Sequence, residues 1–186
     1  MGKTTVLSEL ADLARENKYN LTVMNFGTIM KEIMLELGKE LHRDEMRKLT
    51  IEEQRKFQEL AASEITHRAG HGVAVIDTHM FVKTPSGMWA GLPEKVLEKL
   101  DPQLLVLVEA NTEQIATRRA GDSSRRRDQS LADEIAFDLG WSRATAAASA
   151  VATGAPVKVI RNDAGRQKEA AQELFQTIRG VMENQT

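Results

Sequence analysis

Short apolar runs recur along this chain, and each is separated from the next by a segment with helical periodicity. Residues 21–26 (LTVMNF) read as a short buried strand broken by Gly27, and residues 73–76 (VAVI), 104–108 (LLVLV) and 157–160 (VKVI) read the same way. These runs are largely continuous rather than alternating in polarity, as expected of strands covered on both faces. The first helix carries Val6, Leu7, Leu10, Ala11, Leu13 and Ala14 on one stripe and is expected to end near Asn17 and Lys18. A second carries Ile29, Ile33, Met34 and Leu37, with Thr28 as its expected cap and Gly38 as its stop. Thr50 followed by Glu53 is a capping-box pattern opening a third helix that runs to about Gly70. Further helices are expected near 93–100, 112–120, 130–153 and 163–184. Strands alternating with helices build βαβ units, hence an α/β fold with a parallel sheet and helices on both faces. No linker, repeat or low-complexity tract interrupts the pattern, so residues 1–186 are expected to form a single domain.

Composition narrows the function classes. The 186 residues hold no cysteine, which excludes a disulfide scaffold, a thiolate metal site and a cysteine nucleophile. Twenty-five basic against 27 acidic residues leave a net charge of −2, which argues against a surface built as a whole to bind nucleic acid or anionic lipid. Aromatic residues are 4% of the chain, too few for base-stacking platforms. There is neither an apolar run of the ~20 residues a membrane helix requires nor a signal peptide at the start. The expectation is a soluble cytoplasmic protein without a membrane partner.

The first residues carry the sharpest motif. Gly2-Lys3-Thr4-Thr5 matches the second half of a phosphate loop, G-x-x-x-x-G-K-[ST], and runs straight into the first helix. In that motif backbone N–H groups and the helix dipole hold phosphates, the lysine reaches the β/γ-phosphates and the hydroxyl binds Mg²⁺. The plainer alternative is a threonine that starts a helix. Asp77 closes the 73–76 strand, where open α/β sheets place ligands and where a carboxylate can order the water shell of Mg²⁺; a turn-forming aspartate gives the same pattern.

Arg118, Arg119, Arg125, Arg126 and Arg127 crowd with Asp122 and Asp128 into eleven positions. Arginines bind phosphoryl oxygens bidentately and stabilise transition-state charge, so the cluster suits phosphoryl transfer; a solvated basic loop or a small nucleic-acid patch are the alternatives. Two polar loops, 78–92 and 121–130, are long enough to be functional. His79 is either a ligand contact or a structural histidine, and Trp89 either a base contact or, preferably, the anchor of its loop. No His/Asp/Glu set has metal-site spacing, so any metal arrives with a nucleotide.

Taken in order, Gly2-Lys3-Thr4-Thr5, Asn25-Phe26-Gly27-Thr28, the 43–49 segment RDEMRKL, Asp77-Thr78-His79, the 83–87 segment KTPSG, Gly91-Leu92-Pro93, the arginine cluster and the 154–160 segment GAPVKVI resemble the archaeal-type adenylate kinases over nearly the whole chain. The resemblance implies a P-loop NTPase-type sheet and the reaction ATP + AMP ⇌ 2 ADP with Mg²⁺ on the ATP. It implies that Gly2, Lys3, Thr4 and Thr5 bind ATP, and that Thr4 and, through water, Asp77 serve the metal. Asn25, Phe26, Gly27, Thr28 and Arg47, in a segment of about 25–70, would form the AMP side together with Thr78 and His79, under the 83–93 loop. The 154–160 strand would lie near the adenine of ATP. Lys3, Arg118, Arg125 and Arg127 would be catalytic, the arginines on a lid of about 118–130. A tendency to homotrimers is also implied.

The first half of the phosphate loop and the strand before it, central in such sheets, are missing from the sequence. The natural protein is therefore expected to begin about ten to fifteen residues earlier, room for one strand of ~5 residues and the loop. A chain starting at Met1 is expected to bind ATP poorly and to be marginally stable. Three other readings compete: a P-loop kinase for another small molecule, a non-catalytic nucleotide- or RNA-binding protein on the same fold, and an inactive fragment.

Overall fold

The structure, a computed structural model, describes residues 2–39, 43–46, 48–111 and 131–183. Its elements follow the order α1 (Lys3–Glu16), β1 (Leu21–Asn25), α2 (Phe26–Glu36), α3 (Arg43–Met46), α4 (Ile51–Ala69), β2 (Val73–Asp77), β3 (Phe81–Thr84), β4 (Gly87–Ala90), α5 (Glu94–Leu100), β5 (Leu105–Glu109), α6 (Leu131–Thr153), β6 (Val157–Arg161) and α7 (Gln167–Glu183). The chain divides into two compact units. One comprises Met1–Tyr19, Gln103–Ala150 and Ala155–Thr186, the other Asn20–Pro102 and Val151–Gly154. Among the described residues no helix is long and apolar enough to cross a membrane.

In the Asn20–Pro102 unit β1 and β2 pair in parallel, in a register that sets Met24 beside Ile76 and Asn25 beside Asp77. One face of this pair joins a core of Met24, Phe26, Ile29, Met30, Met34, Phe57, Ala61, Ile65, Val96 and Leu97, to which α2, α4 and α5 all contribute. Unbranched methionines suit such a junction of three helices because they fill irregular gaps. The capping box at the head of α4 forms as expected: Thr50 Oγ1 accepts from the Glu53 N–H, and the Thr50 N–H donates to the Glu53 carboxylate. Lys39 pairs with the same carboxylate.

Two local expectations change here, and one short element is added. The first strand stops at Asn25, and Asn25 rather than Thr28 caps α2, because its amide oxygen lies 2.9 Å from the Thr28 N–H. The expected 78–92 loop contains an antiparallel hairpin, β3–β4, closed by Pro85 and Ser86 with Thr84 opposite Gly87. A one-turn helix, α3, stands within the 43–49 segment.

In the other unit β5 and β6 are parallel, with Leu105 opposite Val157 and Glu109 opposite Arg161. Arg143 of α6 reaches Glu109 from one face of the pair, while Lys158 bridges to Glu173 of α7 on the other at 2.8 Å. Helices on both faces are thus present. Helix α1 lies on α7, Val6, Leu10 and Ala14 being buried, as are Ala171, Leu174 and Phe175 on α7. Tyr19 meets Phe175 edge-to-face, with ring centroids 5.5 Å apart. Burying side chains such as Val6 and Leu10 stabilises by roughly 1.5–3 kcal/mol each. The expected 112–120 helix and 121–130 loop lie outside the described residues.

Candidate active site

Gly2 adopts the left-handed conformation, φ 70°, and stands as the residue before α1 without a side-chain cap. A side chain there would be strained, whereas glycine turns the chain freely so that Lys3, Thr4 and Thr5 form the first helical turn. No acidic residue occupies that turn, so nothing on it competes for an anion. The Gly2 carbonyl accepts from Nδ2 of Asn162 at 3.3 Å, and Asn162 is buried just past the end of β6. The Asn162 N–H in turn donates to the Glu109 carbonyl, and the Asn111 N–H to Asp163 Oδ1 at 3.1 Å. The carboxyl ends of β5 and β6 and the head of α1 are therefore stitched into one rim. An open depression of about 510 Å³ lies there, lined by Asn111, Leu139, Arg143, Arg161 and Asp163 among others.

Glu109 is almost fully buried at the end of β5 and accepts two hydrogen bonds from Arg143, at 2.8 and 2.6 Å. The guanidinium holds the Glu109 carboxyl below its usual range despite the opposing effect of burial. Neither residue is among the sequence candidates. The only signal was an acidic residue ending an apolar strand, the same pattern that drew attention to Asp77.

In the other unit Asn25 and Asp77 sit side by side at the ends of β1 and β2. Asn25 Nδ2 donates to Asp77 Oδ2 at 2.8 Å, and Asn25 Oδ1 accepts both the N–H and the hydroxyl of Thr28. Asn25, Gly27, Thr28, Asp77 and Thr78 thus gather at one strand edge. Phe26 differs: its side chain is 4% exposed and belongs to the core, leaving only its backbone to face a ligand. The His79 side chain is exposed. Its carbonyl lies where a Cβ on Gly91 would fall, 1.7 Å from it, so the base of the hairpin closes only over glycine.

Trp89 is an anchor of its hairpin: its indole N–H donates to Gln58 Oε1 at 3.1 Å, and Arg55 lies over its ring. Buried Gln58 also donates to the Ala90 carbonyl at 3.1 Å, which fastens the hairpin to α4. Sequence reading passed over Gln58 because a glutamine in a polar helix looks solvated. Arg47, Arg118, Arg125 and Arg127 lie outside the described residues. Among the described residues no three His, Cys, Asp or Glu side chains cluster as a metal-binding set.

The family model described as an AAA domain matches residues 1–136, and with the strand and helix order it defines the class: a P-loop kinase domain. The relatives are more specific. The adenylate kinase of Methanocaldococcus jannaschii is 40% identical over 179 residues, covering 96% of this chain and 93% of that protein. Those of Sulfurisphaera tokodaii and Methanopyrus kandleri are 40% and 42% identical over 183 residues, covering 96% and 97% of this chain and 94% of each relative. The chain belongs to the adenylate kinase family.

Proposed function

We propose that the protein transfers the γ-phosphoryl group of Mg-ATP to AMP, giving two ADP. The observation that carries this is 40% identity to an adenylate kinase over 96% of a chain that keeps the Gly2–Thr5 helix head and the Asn25–Asp77 pair. Gly2, Lys3, Thr4 and Thr5 bind the ATP phosphates: backbone N–H groups at the head of α1 face the anion, and the Lys3 ammonium neutralises the β/γ oxygens. The depression at the ends of β5 and β6 takes the base and sugar of ATP. Asn25, Gly27, Thr28, Thr78 and His79, with Arg47 and the backbone of Phe26, form the AMP side.

The donors present fit Mg²⁺. The Thr4 hydroxyl and the Asp77 carboxylate are each a hard oxygen donor, the type that Mg²⁺ takes alongside phosphates and water. Thr4 would hold it directly and Asp77 through water; when bound it neutralises charge on the transferring group.

In the transfer, an oxygen of the AMP phosphate forms the new bond to the γ-phosphorus as the bond from that phosphorus to the β–γ bridging oxygen breaks, leaving ADP on both sides. No covalent enzyme intermediate is required. Arg118, Arg125 and Arg127 stabilise the charge in flight and, by closing over it, exclude water as a competing acceptor. The test is an ADP-forming assay with ATP and each of AMP, CMP and UMP. Selective use of AMP supports the proposal; equal use of the three acceptors, or RNA binding without transfer, overturns it.

A further inference from the structure

We propose that Asn25 is a positioning residue for Asp77, locking that carboxylate to the head of α2; the inference rests on the adenylate kinase reading above. The parallel register brings the two residues together at the carboxyl ends of β1 and β2. The Asn25 amide is oriented from both sides. The Thr28 N–H can only donate, so at 2.9 Å it requires the amide oxygen. That choice turns Nδ2 toward Asp77 Oδ2 at 2.8 Å, and an ionised carboxylate can only accept. The Thr28 hydroxyl adds a third contact, to the same amide oxygen, at 3.0 Å.

The arrangement explains the residue type. Serine, threonine and aspartate also cap helices. Aspartate would set a second carboxylate against Asp77, and the shorter hydroxyls lack the amide's separated acceptor and donor ends. Asparagine alone among the preferred caps accepts from the helix while donating N–H to its neighbour across the sheet. Helix α2 is itself fixed, because Phe26, Ile29, Met30 and Met34 are all buried in the core. Asp77 is therefore oriented by a helix anchored in the core, and the residues proposed for AMP and for the metal's water shell share one amide. Partners that orient a metal-serving group typically change metal affinity or activity 10- to 100-fold when removed.

The test compares the native full chain with N25S and N25G, which keep most of the capping strength but remove the amide donor. Three quantities are read: kcat, KM for AMP, and, without turnover, the factor by which Mg²⁺ tightens ATP binding in calorimetry. The expected result is a kcat about tenfold lower and a several-fold smaller Mg²⁺ factor, whatever rise the KM for AMP shows from the place of Asn25 on the AMP side. Thermal melting run alongside identifies any variant that fails to fold, and the other variant then carries the comparison. A raised KM for AMP with kcat and the Mg²⁺ factor unchanged would make Asn25 an AMP contact only and overturn the inference. So would three unchanged quantities. A wild-type chain that transfers nothing from ATP to AMP overturns the adenylate kinase reading instead, while the calorimetric comparison still reads the Asn25–Asp77 link.

Discussion

Arg143 on α6 grips Glu109 at the end of β5 with two parallel hydrogen bonds, Nε to Oε1 at 2.8 Å and Nη2 to Oε2 at 2.6 Å. The carboxylate is 2% exposed and the arginine about half exposed. The helix that follows the arginine-rich segment is thereby fixed to the strand whose end borders the Gly2 rim.

Removing one partner of this pair strands a buried charge. For fully buried pairs the cost is about 3–5 kcal/mol, and the half-exposed arginine places Arg143→Ala lower, on the order of 2 kcal/mol. Denaturant unfolding is the check. Glu109→Gln should lose less, because its amide oxygen still accepts one hydrogen bond from Arg143 and the charge left unpaired is the half-exposed guanidinium rather than a buried carboxylate.

Acid should weaken the fold through two carboxylates. Lys39 first, then the Thr50 N–H and hydroxyl, draw Glu53 from 4.5 to about 2. Arg143 lowers Glu109 in the same sense. A group whose acidity is strengthened by folding stabilises fully above its unfolded value and loses that contribution as pH falls through its folded value. For Glu53 the window runs from about pH 4.5 down to about pH 2. Glu53→Gln can keep the capping box but does not titrate, so its melting temperature should fall less steeply across that window than the wild type's.

Gly91→Ala should be disruptive for a reason unrelated to glycine's backbone freedom. The new methyl would meet the His79 carbonyl at 1.7 Å, and backbone rather than a flexible side chain must yield. A loss of about 2–3 kcal/mol is expected, at the upper end of ordinary overpacking. The KM for AMP should rise with it if the hairpin closes over AMP.

Lys3→Ala should separate chemistry from folding. Lys3 is only half-buried, and the α1 core is made by Val6, Leu7, Leu10 and Ala14. Melting should change little, while kcat/KM for ATP falls about a hundredfold or more, as on removal of a preorganised charge-stabilising donor.

Much of this fold was legible because it is written in local pattern. The runs at 73–76 and 104–108 are apolar throughout and became β2 and β5, and the Thr50–Glu53 pair marked the head of α4 within one residue. What escaped depends on partners distant in sequence. Thr28 looked like the cap because a hydroxyl before an apolar helix is a common signal, but Asn25 also had Asp77 across the sheet to fix its amide. The hairpin was hidden by Pro85, Ser86 and Gly87, which read as loop until Phe81 and Ala90 are seen to pair. Gln58 and Arg143 became structural only through Trp89 and Glu109, 31 and 34 positions away. The strand-end aspartate was singled out as a candidate, and the glutamate in the equivalent place was not, because no family motif marked it.

The most direct test is phosphorus NMR of the native enzyme with equimolar ATP and AMP in excess Mg²⁺. The account predicts that ATP and AMP disappear one for one, that two ADP appear for each pair, and that no inorganic phosphate accumulates. Release of inorganic phosphate from ATP while the AMP resonance stays unchanged would contradict it.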